Sequence, residues 1–291
     1  MQYGGVTAGA LPAGDPTGRK TPMFLDTDGA TLYYEVRGTG PLLLVSQSGE
    51  GDAGRSADLV GRLTDRYTVV TYDRRGLSRS TCAASGRSVT MEQHADDAYR
   101  LLAELTDEPA LILGCSMGAA IGLHLAVTHP GRLRTLVAHD PVSPSLLPAG
   151  PRAGHAAELA RLQEVYRQGG LRAALPEIAR VLGIDPARQE TEPDLTPMPL
   201  TPERAANFGF FIARDFTAVI EAELDTEALR TSPVRIVPAG GATTAPHAFV
   251  GQCAHRLARL AGRKVVTFPG GHNGNTTHPR AYAARLREVL A

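Results

Sequence analysis

The sequence predicts an α/β protein: a mostly parallel, doubly wound sheet carrying an all-helical insertion after its sixth strand. Three observations predict it. Short apolar runs recur between turn residues, and they are continuous rather than alternating, as in strands buried on both faces. Helical stretches separate the later runs, the alternation that builds parallel sheets. One interval, residues 141–232, breaks the rhythm and reads as helices around a proline-rich stretch, Thr191 to Pro202.

Residues 1–22 are rich in Gly, Pro, Ala and Thr without apolar periodicity, so a tail without fixed structure is expected and folded chain should begin near Met23. Met23 to Thr27 and Ala30 to Val36 flank Asp28-Gly29, a hairpin signal whose turn requires positive φ. Leu42 to Ser46, Tyr67 to Tyr72 and Ala110 to Leu113 follow as buried strands, with helices near Arg55 to Thr64 and Met91 to Glu104 between them. Thr90 suits the N-cap of the second helix. Further strands are expected at Thr135 to Ala138, Val234 to Val237 and Lys264 to Phe268, with helices near Ala245 to Leu260 and Pro279 to Leu290. Residues 23–140 and 233–291 therefore make the core. The insertion reads as helices at His155 to Gln168, Leu171 to Leu182, Pro202 to Phe211 and Asp215 to Leu229, expected as a lid over the edge of the sheet where ligands bind.

Composition narrows the function. At 291 residues the chain is near the limit for one hydrophobic core. Thirty basic residues balance thirty acidic ones without a Lys/Arg cluster, which argues against a nucleic-acid partner. No apolar run is long enough for a bilayer, and the first twenty residues lack the order of a secretion signal, so a cytoplasmic protein without a membrane partner is expected. Cys82, Cys115 and Cys253 are too scattered for a disulfide framework or a zinc site and read as reduced thiols. No motif implies a cofactor or metal. A homo-oligomer and a monomer fit the sequence equally.

The strongest chemical signal is Gly114-Cys115-Ser116-Met117-Gly118, set between the apolar run Ala110 to Leu113 and the small-residue helix Ala119 to Leu123. Strand, sharp turn and helix in that order present a serine hydroxyl on a strained backbone, with glycines leaving room for the turn. A serine needs a histidine base, and the base needs an orienting carboxylate. His272, in the glycine-rich loop Phe268 to Asn273 before the last helix, is the candidate base. The loop after Val237 reads Pro238 to Ala245 without a carboxylate. Asp140, ending the strand that should lie beside the serine strand, is the candidate acid, against a plain turn aspartate before Pro141. Glu50 is kept as an alternative. The Met117 N–H, at a helix start, can hold a developing oxyanion, and a second donor is expected from the loop Ser46 to Gly51. Asp73, Arg74 and Arg75 read as a paired, structural turn, and Phe208, Phe210, Phe211 and Phe216 read as pocket lining or insertion core.

Tyr72 to Ser80, Gly114 to Gly118 and Pro269 to His272 together resemble the α/β-hydrolase superfamily. Within it, Gly114-Cys115-Ser116, His139-Asp140-Pro141, Gly241-Ala242-Thr243 and Pro269 to His272 resemble the zearalenone hydrolases, lactonases that open a resorcylic macrolactone. The resemblance runs from about Thr31 to Leu290 and is faint across the insertion. It implies the α/β-hydrolase fold and an esterase or lactonase acting through Ser116, His272 and Asp140 with an acyl-enzyme. In that family a glutamate matches Asp140, the later loop also lacks an acid, and the match points to the Ser48 N–H as the second oxyanion donor. A small apolar ester or lactone is the implied substrate. A non-hydrolytic, cyclase-like enzyme or a ligand-binding protein on the same scaffold are the other classes these residues allow.

Overall fold

The computed structural model describes residues 21–83, 89–185 and 189–291; the tail expected before residue 21 lies outside the described residues. The chain runs β1 (Thr21–Thr27), β2 (Ala30–Arg37), β3 (Leu42–Ser46), α1 (Ala57–Val60), β4 (Thr68–Tyr72), α2 (Met91–Leu105), β5 (Ala110–Cys115), α3 (Met117–Thr128) and β6 (Leu133–His139). It continues through α4 (Ala149–Val181), α5 (Pro202–Phe210), α6 (Phe216–Glu221) and α7 (Thr226–Thr231) to β7 (Arg235–Gly241), α8 (Phe249–Leu260), β8 (Val266–Phe268), α9 (Gly274–Thr277) and α10 (Pro279–Leu290). Eight strands form one sheet in the order β1-β2-β4-β3-β5-β6-β7-β8. β1 and β2 pair antiparallel, as do β2 and β4, and every later neighbour is parallel.

Alternation of side chains along buried strands explains why the apolar runs are continuous. Leu42 and Leu44 of β3 join the core under α2 and α3, while Leu43 and Val45 join the core under α1 and α10. Thr90 caps α2 through a capping box with Gln93, each side chain bonding the other residue's backbone.

Several boundaries differ from the sequence expectation for identifiable reasons. β1 starts at Thr21 rather than Met23, because Thr21 and Pro22 already register against Val36 and Glu35. Proline is tolerated there because β1 is an edge strand. The helix expected from Arg55 to Thr64 shrinks to α1: past Val60 the backbone tightens into turns, with Arg62 N–H donating to Leu59 O at 3.0 Å and Leu63 N–H to Val60 O at 2.9 Å, and at its start the hydroxyl of Ser56 does not cap it but donates to Gln47 Oε1 at 2.8 Å. In the insertion, the two helices expected between His155 and Leu182 run from Ala149 to Val181, broken at Gly170, whose φ of 64° interrupts the helix. The helix expected from Asp215 to Leu229 is divided. A wide π-type turn, Phe211–Asp215, leads into α6, and extended backbone at Ala222 ends it before Asp225 caps α7.

Candidate active site

Ser116 sits where β5 turns into α3, with φ 57° and ψ −115°. That conformation is costly for a residue with a side chain and persists only where the surroundings impose it. Here both flanks are glycine for steric reasons. A Cβ on Gly114 would lie 2.6 Å from Ala119 Cα, and one on Gly118 would lie 2.0 Å from the Ser46 carbonyl oxygen. The turn is braced to the end of β6: the Ser116 N–H donates to the His139 carbonyl at 2.9 Å, and the Val142 N–H donates to the Ser116 carbonyl at 3.2 Å. Serine and acid loop are thereby one backbone unit.

Asp140 follows β6, with positive φ of 44°, and its carboxylate is fully buried. Its Oδ2 lies 3.6 Å from His272 Nδ1 and accepts a 2.6 Å bond from Thr244 Oγ1. The first distance is slightly beyond a hydrogen bond, and catalytic contacts of this kind tighten when substrate closes the site. Burial pushes the Asp140 carboxyl up, but the neighbouring His139, His272 and Thr244 outweigh it and the net direction is down, toward the ionised form.

Thr244 is the residue that sequence reasoning missed. It stands in the loop after β7, whose last residue, Gly241, packs against backbone so closely that a Cβ there would lie 2.4 Å from the Gly271 carbonyl carbon. The loop contributes a hydroxyl to the acid instead of the acid itself. Glu50, the alternative acid, faces elsewhere. Its carboxylate meets Arg55 at 3.2 Å and Arg204 at 2.9 Å. Burial raises the Glu50 carboxyl, and these two guanidinium groups more than offset it.

Met117 begins α3 and Ser48 lies in the loop after β3, both buried. Neither backbone N–H donates to a protein acceptor among the described residues. The charged turn is paired, as expected: Asp73 binds Arg79, and Arg75 binds Asp97 through two 2.7 Å bonds. Arg74 instead reaches the insertion, at Asp215. Cys115 and Cys253 are free thiols that burial pushes up to about 12, too high for a thiolate at neutral pH. Among the described residues no group of three or more His, Cys, Asp or Glu is arranged to hold a metal, and no helix is long and apolar enough to cross a membrane.

His139 supplies a pH prediction. Its ring is fully buried edge-on to Phe268 and Tyr282, and burial lowers its pKa from 6.5 to about 4. The unfolded chain therefore binds a proton at a higher pH than the folded one. The stabilisation is whole above pH 6.5 and is lost as pH falls toward 4, by about 3 kcal/mol for this group. Urea midpoints should fall steeply between pH 7 and 4.5, and His139→Phe should flatten that dependence; an unchanged slope in the variant would count against it.

Strand, sharp turn and helix carrying a buried serine, braced through backbone to the loop whose carboxylate faces a histidine, define the α/β-hydrolase class of proteins. The chain belongs to that family: a model of the alpha/beta hydrolase fold matches residues 46–214. It is 35% identical over 270 residues to an uncharacterized hydrolase, YraK, of Bacillus subtilis (strain 168), covering 91% of this chain and 94% of that one. A crystal structure of a hydrolase from Pseudomonas aeruginosa PA01 superposes with a TM-score of 0.70 at 25% identity, covering 93% and 98% of the two chains. The enol-lactonase from Burkholderia xenovorans LB400 shares the fold with a TM-score of 0.63 at 20% identity over 92% and 99% of the chains.

Proposed function

We propose that this chain is a serine hydrolase of carboxylic esters or lactones. The observation that carries the reading is the strained, glycine-flanked Ser116 braced to the loop that aims Asp140 at His272. Ser116 Oγ attacks the substrate carbonyl while His272 takes its proton, and Asp140 holds the imidazole in one tautomer and stabilises its charge. The N–H groups of Met117 and Ser48 receive the oxyanion. As the carbonyl re-forms, the C–O bond to the leaving alcohol breaks and His272 returns the proton to that oxygen. Water, deprotonated by His272, then releases the acid and restores Ser116. In a lactone the alcohol stays tethered to the acyl group, so one ring-opened hydroxy acid results.

A resorcylic macrolactone such as zearalenone is the finer substrate suggested by the sequence resemblance. A cleft of about 630 Å³ lies between residues 50–59, the insertion and residues 273–277. Its walls include Glu50, Arg55, Arg204, Asn207 and Asn273, and neither Ser116 nor His272 lines it, so its polar walls do not define the acyl pocket. The protein is proposed to act in the cytoplasm without cofactor. A fluorophosphonate probe tests the chemistry: covalent label on the wild type that vanishes in Ser116→Ala is the expected result. Turnover across p-nitrophenyl esters, small lactones and zearalenone then ranks substrates. No label and no turnover on the whole panel would overturn the proposal in favour of a binding protein.

A further inference from the structure

Arg74 is among the largest fully buried side chains, and the serine chemistry above makes no use of it. From the end of β4 its guanidinium reaches three successive carbonyls of one loop. Nη1 donates to Ser48 O at 3.0 Å and to Gln47 O at 3.4 Å, and Nη2 donates to Gly49 O. Nη2 also donates to Asp215 Oδ2 at 3.0 Å, while Asp215 Oδ1 meets His94 Nε2 at 3.2 Å. Asp215 is completely buried and closes the wide turn Phe211–Asp215 of the insertion. The first residue of that turn presses on the same loop. The tip of the Phe211 ring lies so close to Gly49 that a Cβ there would come within 2.2 Å of it.

Because a peptide unit is planar and trans, its C=O and the following N–H point in opposite directions. Holding the Gln47 carbonyl therefore fixes the direction of the Ser48 N–H, and holding the Ser48 carbonyl fixes that of Gly49. An oxyanion donor is effective only when preoriented, since reorganisation during reaction forfeits its benefit. A buried ion pair is poor value for stability alone, because apolar residues of the same volume serve as well or better.

We propose that Arg74 and Asp215 are a positioning pair for the oxyanion loop: the insertion supplies the counter-charge that lets a buried guanidinium grip residues 47–49. Catalytic competence then depends on the Phe211–Asp215 turn being seated on the core. The inference rests on the hydrolase reading and deepens it.

Two variants test it, the isosteric Asp215→Asn and the double Arg74→Met/Asp215→Leu, which replaces the pair by apolar volume. The readouts are the second-order rate of Ser116 phosphonylation by a fluorophosphonate, kcat and KM on p-nitrophenyl acetate, and the urea midpoint. The double variant is expected to fold with a midpoint near the wild type, yet both variants should lose about 10- to 100-fold in phosphonylation rate and in kcat, with KM nearly constant. A folded double variant labelling at the wild-type rate would show the pair to be structural only and end the proposal. If the double variant does not fold, Asp215→Asn decides on the same kcat and labelling criteria. A wild type that takes no label at Ser116 would instead sink the hydrolase reading, and this inference with it, so the two failures are told apart.

Discussion

Asp140→Asn is expected to cut ester turnover about 10⁴-fold while the protein stays folded, the loss typical when a triad carboxylate becomes an amide. The amide has nearly the same shape, so Thr244 keeps a partner at the oxygen position it now occupies at 2.6 Å. What disappears is the negative charge facing His272 Nδ1 at 3.6 Å. In the proposed mechanism an uncharged neighbour neither fixes the tautomer that accepts the Ser116 proton nor stabilises the imidazolium that results. The depressed pKa of Asp140 adds a pH statement with a definite sign. A carboxyl held below its ordinary value of 3.8 is ionised at every pH above that value, and its contribution is lost only as pH falls through the lower, folded value. Any loss of turnover on the acid side above pH 4.5 therefore does not belong to Asp140. Glu50→Gln should lose far less, since its carboxylate serves Arg55 and Arg204 and not His272. Steady-state kinetics on one activated ester compares the variants. Asp140→Asn within tenfold of wild type, with Glu50→Gln collapsed, would move the acid to the other loop.

How much of this was legible in the sequence follows from the range of the interactions. The buried strands announce themselves because both faces are apolar, so β3 was readable to the residue from Leu42 to Ser46. The serine turn was readable because its glycines are demanded by contacts a few residues away and at the neighbouring strand. His272 was readable from its place between the last strand and helix. Side-chain pairing across long separations was not. Nothing local in Thr244 marks it as a donor to a carboxylate 104 residues earlier. Arg74 reads as one more charge in a charged turn until the fold brings Asp215, 141 residues later, against it. The uncapped start of α1 has the same origin: Ser56 stands at the N-cap position, but its hydroxyl donates to Gln47 and accepts from Asn275 at 2.9 Å. Local propensity loses wherever a distant partner offers a better bond.

Gly118→Ala sets propensity against packing, and packing should win. Alanine is favoured over glycine in helices, by at most about 1 kcal/mol in an interior and less at Gly118, the second residue of α3, so propensity alone predicts no loss of stability. The added Cβ, however, would stand 2.0 Å from the Ser46 carbonyl oxygen, 2.5 Å from its carbon and 2.7 Å from the Gln47 carbonyl oxygen. All three are backbone atoms at the end of β3, a strand hydrogen-bonded on both sides to β4 and β5, so they cannot swing away as a side-chain tip would. Relieving the clash means moving α3 or the end of β3 by about an ångström, at a net cost of roughly 3 kcal/mol, the upper part of the usual range for overpacking. The displaced atoms lead directly into Ser48, so phosphonylation of Ser116 should fall beyond what the lost stability explains. Gly131→Ala is the control: nothing lies within 4 Å of its Cβ position, and its effect should stay within about 0.5 kcal/mol. Urea midpoints of the three proteins decide it, and a Gly118→Ala protein as stable as the wild type would mean that α3 has slack at the nucleophile turn that these contacts deny.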